Sequence, residues 1–111
     1  MIAEIEKALP WITEGVTVEL DVDEKLKRFC DTVRLTHLGW RWNRSEDGES
    51  SVGGHDPVLI RIGTRVIVRG YILKKADNTI IHRKAFDPYF YAEQGDKVTI
   101  SPSLKVRLSD A

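Results

Sequence analysis

The chain predicts an α+β domain: a strongly bent antiparallel sheet, or a small open β-barrel, of five to six strands with one or two covering helices. Three observations carry this. Apolar and polar residues alternate at a period of two in several stretches, first at Val16, Val18, Leu20 and Val22. Beyond residue 57 such stretches are joined by turn-forming residues rather than helical segments, so successive strands pair as hairpins. Helix-like spacing is confined to the N-terminal part. The 111 residues make one domain, 1–111, long enough to bury roughly two thirds of the surface of the unfolded chain.

Taken in order, Ile2, Ile5, Leu9 and Ile12 recur at three- and four-residue steps and predict an N-terminal helical segment over 1–14. Pro10 lacks an N–H and ends or kinks it. Residues 16–23 then read as a half-buried strand with an acidic outer face. Residues 24–38 admit two readings. In one, Asp23 caps a helix in which Leu26, Phe29, Cys30, Val33 and His37 share a face and Gly39 terminates it. In the other, a short helix stops at Asp31 and a strand runs from Thr32 to Trp42. The 3–4 spacing favours the helix, which is the expectation; Thr32, Val33 and Thr36 favour the strand. Residues 43–57, NRSEDGESSVGGHDP, hold Val52 as their only sizeable apolar side chain and read as a long polar loop.

The C-terminal half reads as sheet. Val58, Ile60 and Ile62 are followed, past Gly63-Thr64, by Val66 and Val68. Tyr71 to Lys74 and Thr79 to Phe86 flank the turn chemistry Lys75-Ala76-Asp77-Asn78. A four-residue turn sets Ile72 opposite Ile81, Leu73 opposite Ile80 and Tyr71 opposite His82. Asp87-Pro88 ends the strand. Gln94-Gly95-Asp96 turns into Lys97–Ser101, Pro102 breaks it, and Leu104, Val106 and Leu108 alternate in a last strand.

Charge limits the function classes. Seventeen basic and seventeen acidic residues cancel, whereas a dedicated nucleic-acid binder carries a basic excess, so a nucleic-acid partner is not expected. The charges are segregated: residues 1–24 hold seven acids against Lys7, and residues 61–84 hold seven bases against Asp77. The expectation is that the acidic strand lies beside basic strands and the two rows pair. No apolar run approaches the roughly 20 residues of a membrane span, so no membrane association is expected. The acidic, Pro-interrupted start is unlike a signal peptide. A lone Cys30 leaves no disulfide framework. A cytoplasmic location is the default expectation.

Catalytic motifs are lacking. His37, His55 and His82 show no HExxH spacing, Cys30 has no CxxC partner, and there is no Walker loop, GxGxxG or GxSxG. Neither a metal nor a cofactor is expected. His55-Asp56, beside a glycine pair, is the best candidate for a general base, and His82 the next. Cys30 reads as core packing.

Aromatic residues are more informative. Trp40 and Trp42 flank Arg41, and in extended chain they share a face; they read either as the wall of a site for a flat or cationic ligand or as a cap on the core. The candidate ligand-binding residues are Trp40, Trp42, Tyr71, His82 and His55, placed where the 43–57 loop meets the hairpin. Tyr89, Phe90 and Tyr91, beside Pro88, are the candidate subunit interface. The functional expectation is a small soluble non-catalytic binding or assembly module, homo-oligomeric and most simply a dimer. The alternatives are a single-strand nucleic-acid-binding barrel using Trp40, Trp42, Tyr71 and the basic hairpin, and a small enzyme using a loop or strand histidine.

Overall fold

The computed structural model describes residue 5, residues 9–46 and residues 48–107. Among these the chain is mostly antiparallel sheet, left open rather than closed into a barrel. The elements are α1 (Trp11–Glu14), β1 (Val16–Asp21), β2 (Val33–Leu35), β3 (Trp40–Arg44), β4 (Ser50–His55), β5 (Val58–Arg61), β6 (Val66–Lys75), β7 (Ile80–Ala92), β8 (Lys97–Ile100) and β9 (Ser103–Arg107). These nine described strands, against the five to six expected, form three sheets. One has the order β2-β1-β6-β7, a second β3-β4-β9, and a third pairs β5 with β8.

The alternation in β1 does what its pattern requires. Val16, Val18 and Leu20 turn into the core while Thr17, Glu19 and Asp21 face outward. Core side chains come from all three sheets: Leu20 and Leu73 from the first, Trp42 and Leu104 from the second, Ile60 and Ile100 from the third. Each such residue contributes roughly 1.5–3 kcal/mol by leaving water. The helical segment expected over 1–14 is described only at Ile5 and from Leu9 onward. There, the Leu9 N–H donates to the Ile5 carbonyl at 2.8 Å, and Ile5, Leu9 and Ile12 are buried. Gly15, at φ 125°, ends α1 in a conformation that side chains resist. Leu108 lies outside the described residues.

Further sequence expectations are corrected. The helix expected over 24–38 is a 3-10 turn at Glu24–Phe29, capped by the Asp23 side chain accepting from the Lys25 N–H (2.9 Å). It buries no side chain fully, but Leu26 packs against the core. Tertiary pairing overrides the helical spacing. Cys30 bridges to Ile62, the Asp31 N–H donates to the Arg61 carbonyl (3.1 Å), and the Gly63 N–H donates to the Phe29 carbonyl (2.6 Å). The chain is thereby drawn extended before β2.

The long polar loop at 43–57 is instead the β3–β4 hairpin, pairing Trp40 with His55 through Arg44 with Ser51. The Ser45 N–H donates to the Ser50 carbonyl (2.9 Å) where the two strands turn back. β4 reads as a loop because its inward residues are Ser51, Gly53 and His55. Bulk on this face comes from across the ladder: a Cβ at Gly53 would lie 2.6 Å from the Trp42 ring.

In the β6–β7 hairpin the register differs from the four-residue turn. Tyr71 faces Lys84, Ile72 faces Arg83, and Leu73 faces His82, with an irregularity between Leu73 and Lys74. For Tyr71 to Leu73 the offset is two residues, so those pairs keep their faces; at Lys74, opposite Ile80, it is one, so Ile80 lies on the Lys74 face and Ile81 packs toward the core instead. Asp87-Pro88 does not end β7, which continues to Ala92. A second register shift, between Val68 and Gly70, absorbs Pro88 as a bulge at the outermost strand of the sheet, where a missing N–H is tolerated. Gly70 is required at that shift, because a Cβ there would run into the Lys84 carbonyl oxygen.

Candidate functional site

The five candidate ligand residues fall into two groups. Trp40 and Trp42 stack with ring centroids 5.3 Å apart and planes 25° apart. His55, opposite Trp40 in the ladder, meets its ring edge-on at 5.3 Å. Trp40 is 4% exposed, Trp42 8% and His55 9%. They form a packed corner of the core rather than the wall of an open cleft. The 43–57 segment, being a hairpin, supplies strand pairing there and not a lid.

The environment of His55 explains its burial. Nδ1 lies 2.8 Å from the Asp56 carbonyl oxygen and Nε2 3.0 Å from that of Thr36. Both partners are acceptors, so a neutral ring donates to one of them and only a protonated ring donates to both. Its backbone N–H donates to the Pro102 carbonyl at 2.8 Å, and a Cβ at Gly39 would strike the imidazole. His55 thus clips the start of β3, the end of β4 and the approach to β9. The Asp56 carboxylate lies 3.7 Å from Arg41 and not against the ring. Among the described residues, the buried indole N–H groups of Trp40 and Trp42 have no acceptor.

The second group centres on Tyr71. Its hydroxyl accepts from the Ser103 N–H at 3.1 Å, tying β6 to β9. Its ring lies 6.2 Å from His82 and 6.0 Å from Phe86, which stacks on Phe90 at 5.7 Å. The Tyr71–His82 neighbourhood expected from the sequence is therefore present, across a diagonal of the ladder instead of directly opposite.

Tyr89, Phe90 and Tyr91 stand out at the surface, 57%, 38% and 55% exposed. They lie on β7, the last strand of its sheet. Tyr89 and Tyr91 meet at 6.2 Å on one face, while Phe90 joins the Phe86 row on the other. Arg65 stacks over the Tyr91 ring at 5.1 Å and pairs with Glu93 at 3.1 Å. Ile67, opposite Tyr91 and also exposed, extends the apolar patch. Sequence reasoning missed Arg65 and Ile67 as members of this surface, because only the β6–β7 register brings them there.

The charge rows meet in part. Glu19 on β1 accepts from Lys74 on β6 at 2.8 Å and from Lys27 at 3.4 Å, and Lys27 also reaches Glu24 at 3.1 Å. Burial pushes the Glu19 carboxyl up, but Lys74 and Lys27 outweigh it and hold it below the ordinary carboxylate value. Beneath them Ile72 is buried, flanked by Glu19 and Arg83 on the neighbouring strands. Arg61, by contrast, sits on β5 opposite Lys97, away from the acidic β1. Burial, reinforced by Asp31, pushes the Cys30 thiol up, away from the reactive thiolate. Among the described residues, no three potential metal ligands cluster, and no helix is long and apolar enough to cross a membrane. The chain matches no family model, no curated protein and no solved structure.

Proposed function

We propose that the chain is a non-catalytic binding and assembly module whose contact element is β7, with a protein partner and, in the simplest case, self-association. One observation carries this reading: a thirteen-residue edge strand bearing exposed Tyr89, Phe90 and Tyr91. Aromatics and arginine are the side chains interfaces concentrate, and an open strand edge is a template for another chain. The engagement of both His55 nitrogens by main-chain carbonyls supports a non-catalytic role for that residue. Sedimentation velocity over a range of concentrations tests the reading. A mass that rises with concentration, and falls back to the monomer in Tyr89→Ser/Tyr91→Ser, is expected. A monomer throughout, or micromolar oligonucleotide binding that weakens steeply with salt, would replace it.

A second reading keeps a small-molecule site at Trp40 and Trp42. It is favoured by their two unpaired indole donors, since a buried donor without a partner costs about 1–3 kcal/mol. A ligand offering acceptors at that corner would quench tryptophan fluorescence in the native chain and fail to bind Trp42→Ala.

A further inference from the structure

We propose that the outward face of the four-stranded sheet holds a small-molecule site for a planar aromatic carboxylate, bound at Arg69 where two adjoining cavities meet. The site shares the Tyr91 ring with the contact surface but uses no strand edge, so it goes beyond the contact reading of β7.

Arg69 is placed by an interruption of both ladders. Toward β7, the partner of β6 jumps from Phe90, opposite Val68, to Ala85, opposite Gly70. Toward β1, the ladder stops at Asp21, opposite Gly70. Arg69 thus has no cross-strand partner on either side. Val68 and Tyr71, three residues apart, both enter the core, so the alternation slips by one here and leaves Arg69 outside. Bulges of this kind re-aim a side chain and recur next to active sites.

The Arg69 side chain lines both cavities. The first, of about 290 Å³, lies over Ile72, which is buried beneath charged stems and stands outside the main core. Glu19 there takes Lys74 and Lys27, and Lys27 also takes Glu24. Arg83 lines the same cavity, and among the described residues neither Arg69 nor Arg83 has an ion-pair or hydrogen-bond partner. With Asp21 included, four cations stand against three acids in that lining. One negative charge on a ligand makes it neutral.

The second cavity, of about 300 Å³, is walled by Leu26, Val66, Ile67 and the Tyr91 ring. Its acid, Asp23, is engaged in capping the Lys25 N–H, and its other guanidinium, Arg65, pairs with Glu93. Arg69 is therefore the group left to hold an anion. A guanidinium fork matches a carboxylate through two parallel hydrogen bonds. A flat ring beside Tyr91 gains aromatic contact, and the aliphatic walls take the rest of an apolar body.

An NMR titration of the full chain with naphthoate tests the site. Saturable shifts at the Leu26, Ile67 and Tyr91 amides and at the Arg69 side-chain N–H are expected, with Kd about 1 mM or tighter for a ligand of this size. Naphthalenemethanol, which keeps the ring and lacks the charge, should bind at least about ten-fold more weakly, as should naphthoate to Arg69→Gln. Arg69 is exposed, so the melting temperature of that variant stays native. Lys97→Gln removes a cation from the β5–β8 sheet and should bind naphthoate as the native chain does. Equal binding of the alcohol, equal binding by Arg69→Gln, an equal loss in Lys97→Gln, or no saturable shift up to about 10 mM naphthoate would overturn the site. Binding by a chain that stays monomeric would support the site and overturn the contact reading of β7. A dimer that takes no naphthoate would do the reverse.

Discussion

β6 buries Tyr71, Ile72 and Leu73 between two neighbouring strands, whereas β7, its hairpin partner, has β6 on one side and no described strand on the other. Both arms are rich in apolar and aromatic residues. What separates them is position in the sheet. A central strand turns such residues into stability; an edge strand leaves them at the surface, where they become either a liability or a contact. β7 carries marks of both. Pro88, Arg83 and Lys84 blunt indiscriminate pairing, while Tyr89, Phe90 and Tyr91 remain exposed. Such an edge suits selective association.

Replacing Leu73 by Ala should break the central arm. Leu73 is fully buried, opposite Val18 on one side and His82 on the other, and its truncation should destabilise by about 3 kcal/mol in urea unfolding. The matched change on the edge, Ile80→Ala, should cost under about 1 kcal/mol, because that side chain is largely exposed. Equal losses would contradict the contrast between the arms. Gly70→Ala acts on the seam between them. Its Cβ would meet backbone, not a flexible side chain, so a loss of about 2 kcal/mol is expected, read from the same unfolding curves.

How far this contrast could be seen in advance depends on which residues face inward. β1 and the β6–β7 hairpin were legible because branched aliphatics alternate and Asp77-Asn78 mark the turn; Asn78 takes φ 71° there. β4 was not, because Ser51, Gly53 and His55 occupy its inner positions and the Trp42 ring supplies the volume. Residues 24–38 were read by spacing as helix, yet main-chain bonds from Asp31 and Gly63 outweigh that preference, and such partners are invisible in a local pattern. At the site, Tyr89–Tyr91 could be singled out by composition, but their exposure on an edge strand appears only with the β6–β7 register. Trp40 and Trp42 were equally visible, and their burial follows from a hairpin the sequence disguised as loop.

Acid should erode the β1–β6 side selectively. The Glu19 carboxyl titrates below its ordinary value in the folded chain, so its ion pairs contribute fully above the ordinary carboxylate range and are lost as pH falls through the lowered folded value. Between about pH 7 and about pH 3, the native chain should lose more stability than Glu19→Gln, by up to about 1 kcal/mol given partial exposure to solvent. A Glu19→Gln chain with the same acid sensitivity would remove Glu19 from that role. The smallest effect on stability should come from the most exposed aromatics. Tyr89→Ser/Tyr91→Ser should shift unfolding by about 0.5 kcal/mol or less while abolishing association.

Amide hydrogen exchange at two protein concentrations compares the arms most directly. If β7 is the contact strand, protection across His82–Ala85 and Tyr89–Ala92 rises as the chain is concentrated, while that of Gly70–Lys75 in β6, already paired on both sides, does not change. Exchange in β7 that is the same at both concentrations, with or without a change elsewhere, would contradict the central claim that this edge is where the molecule binds.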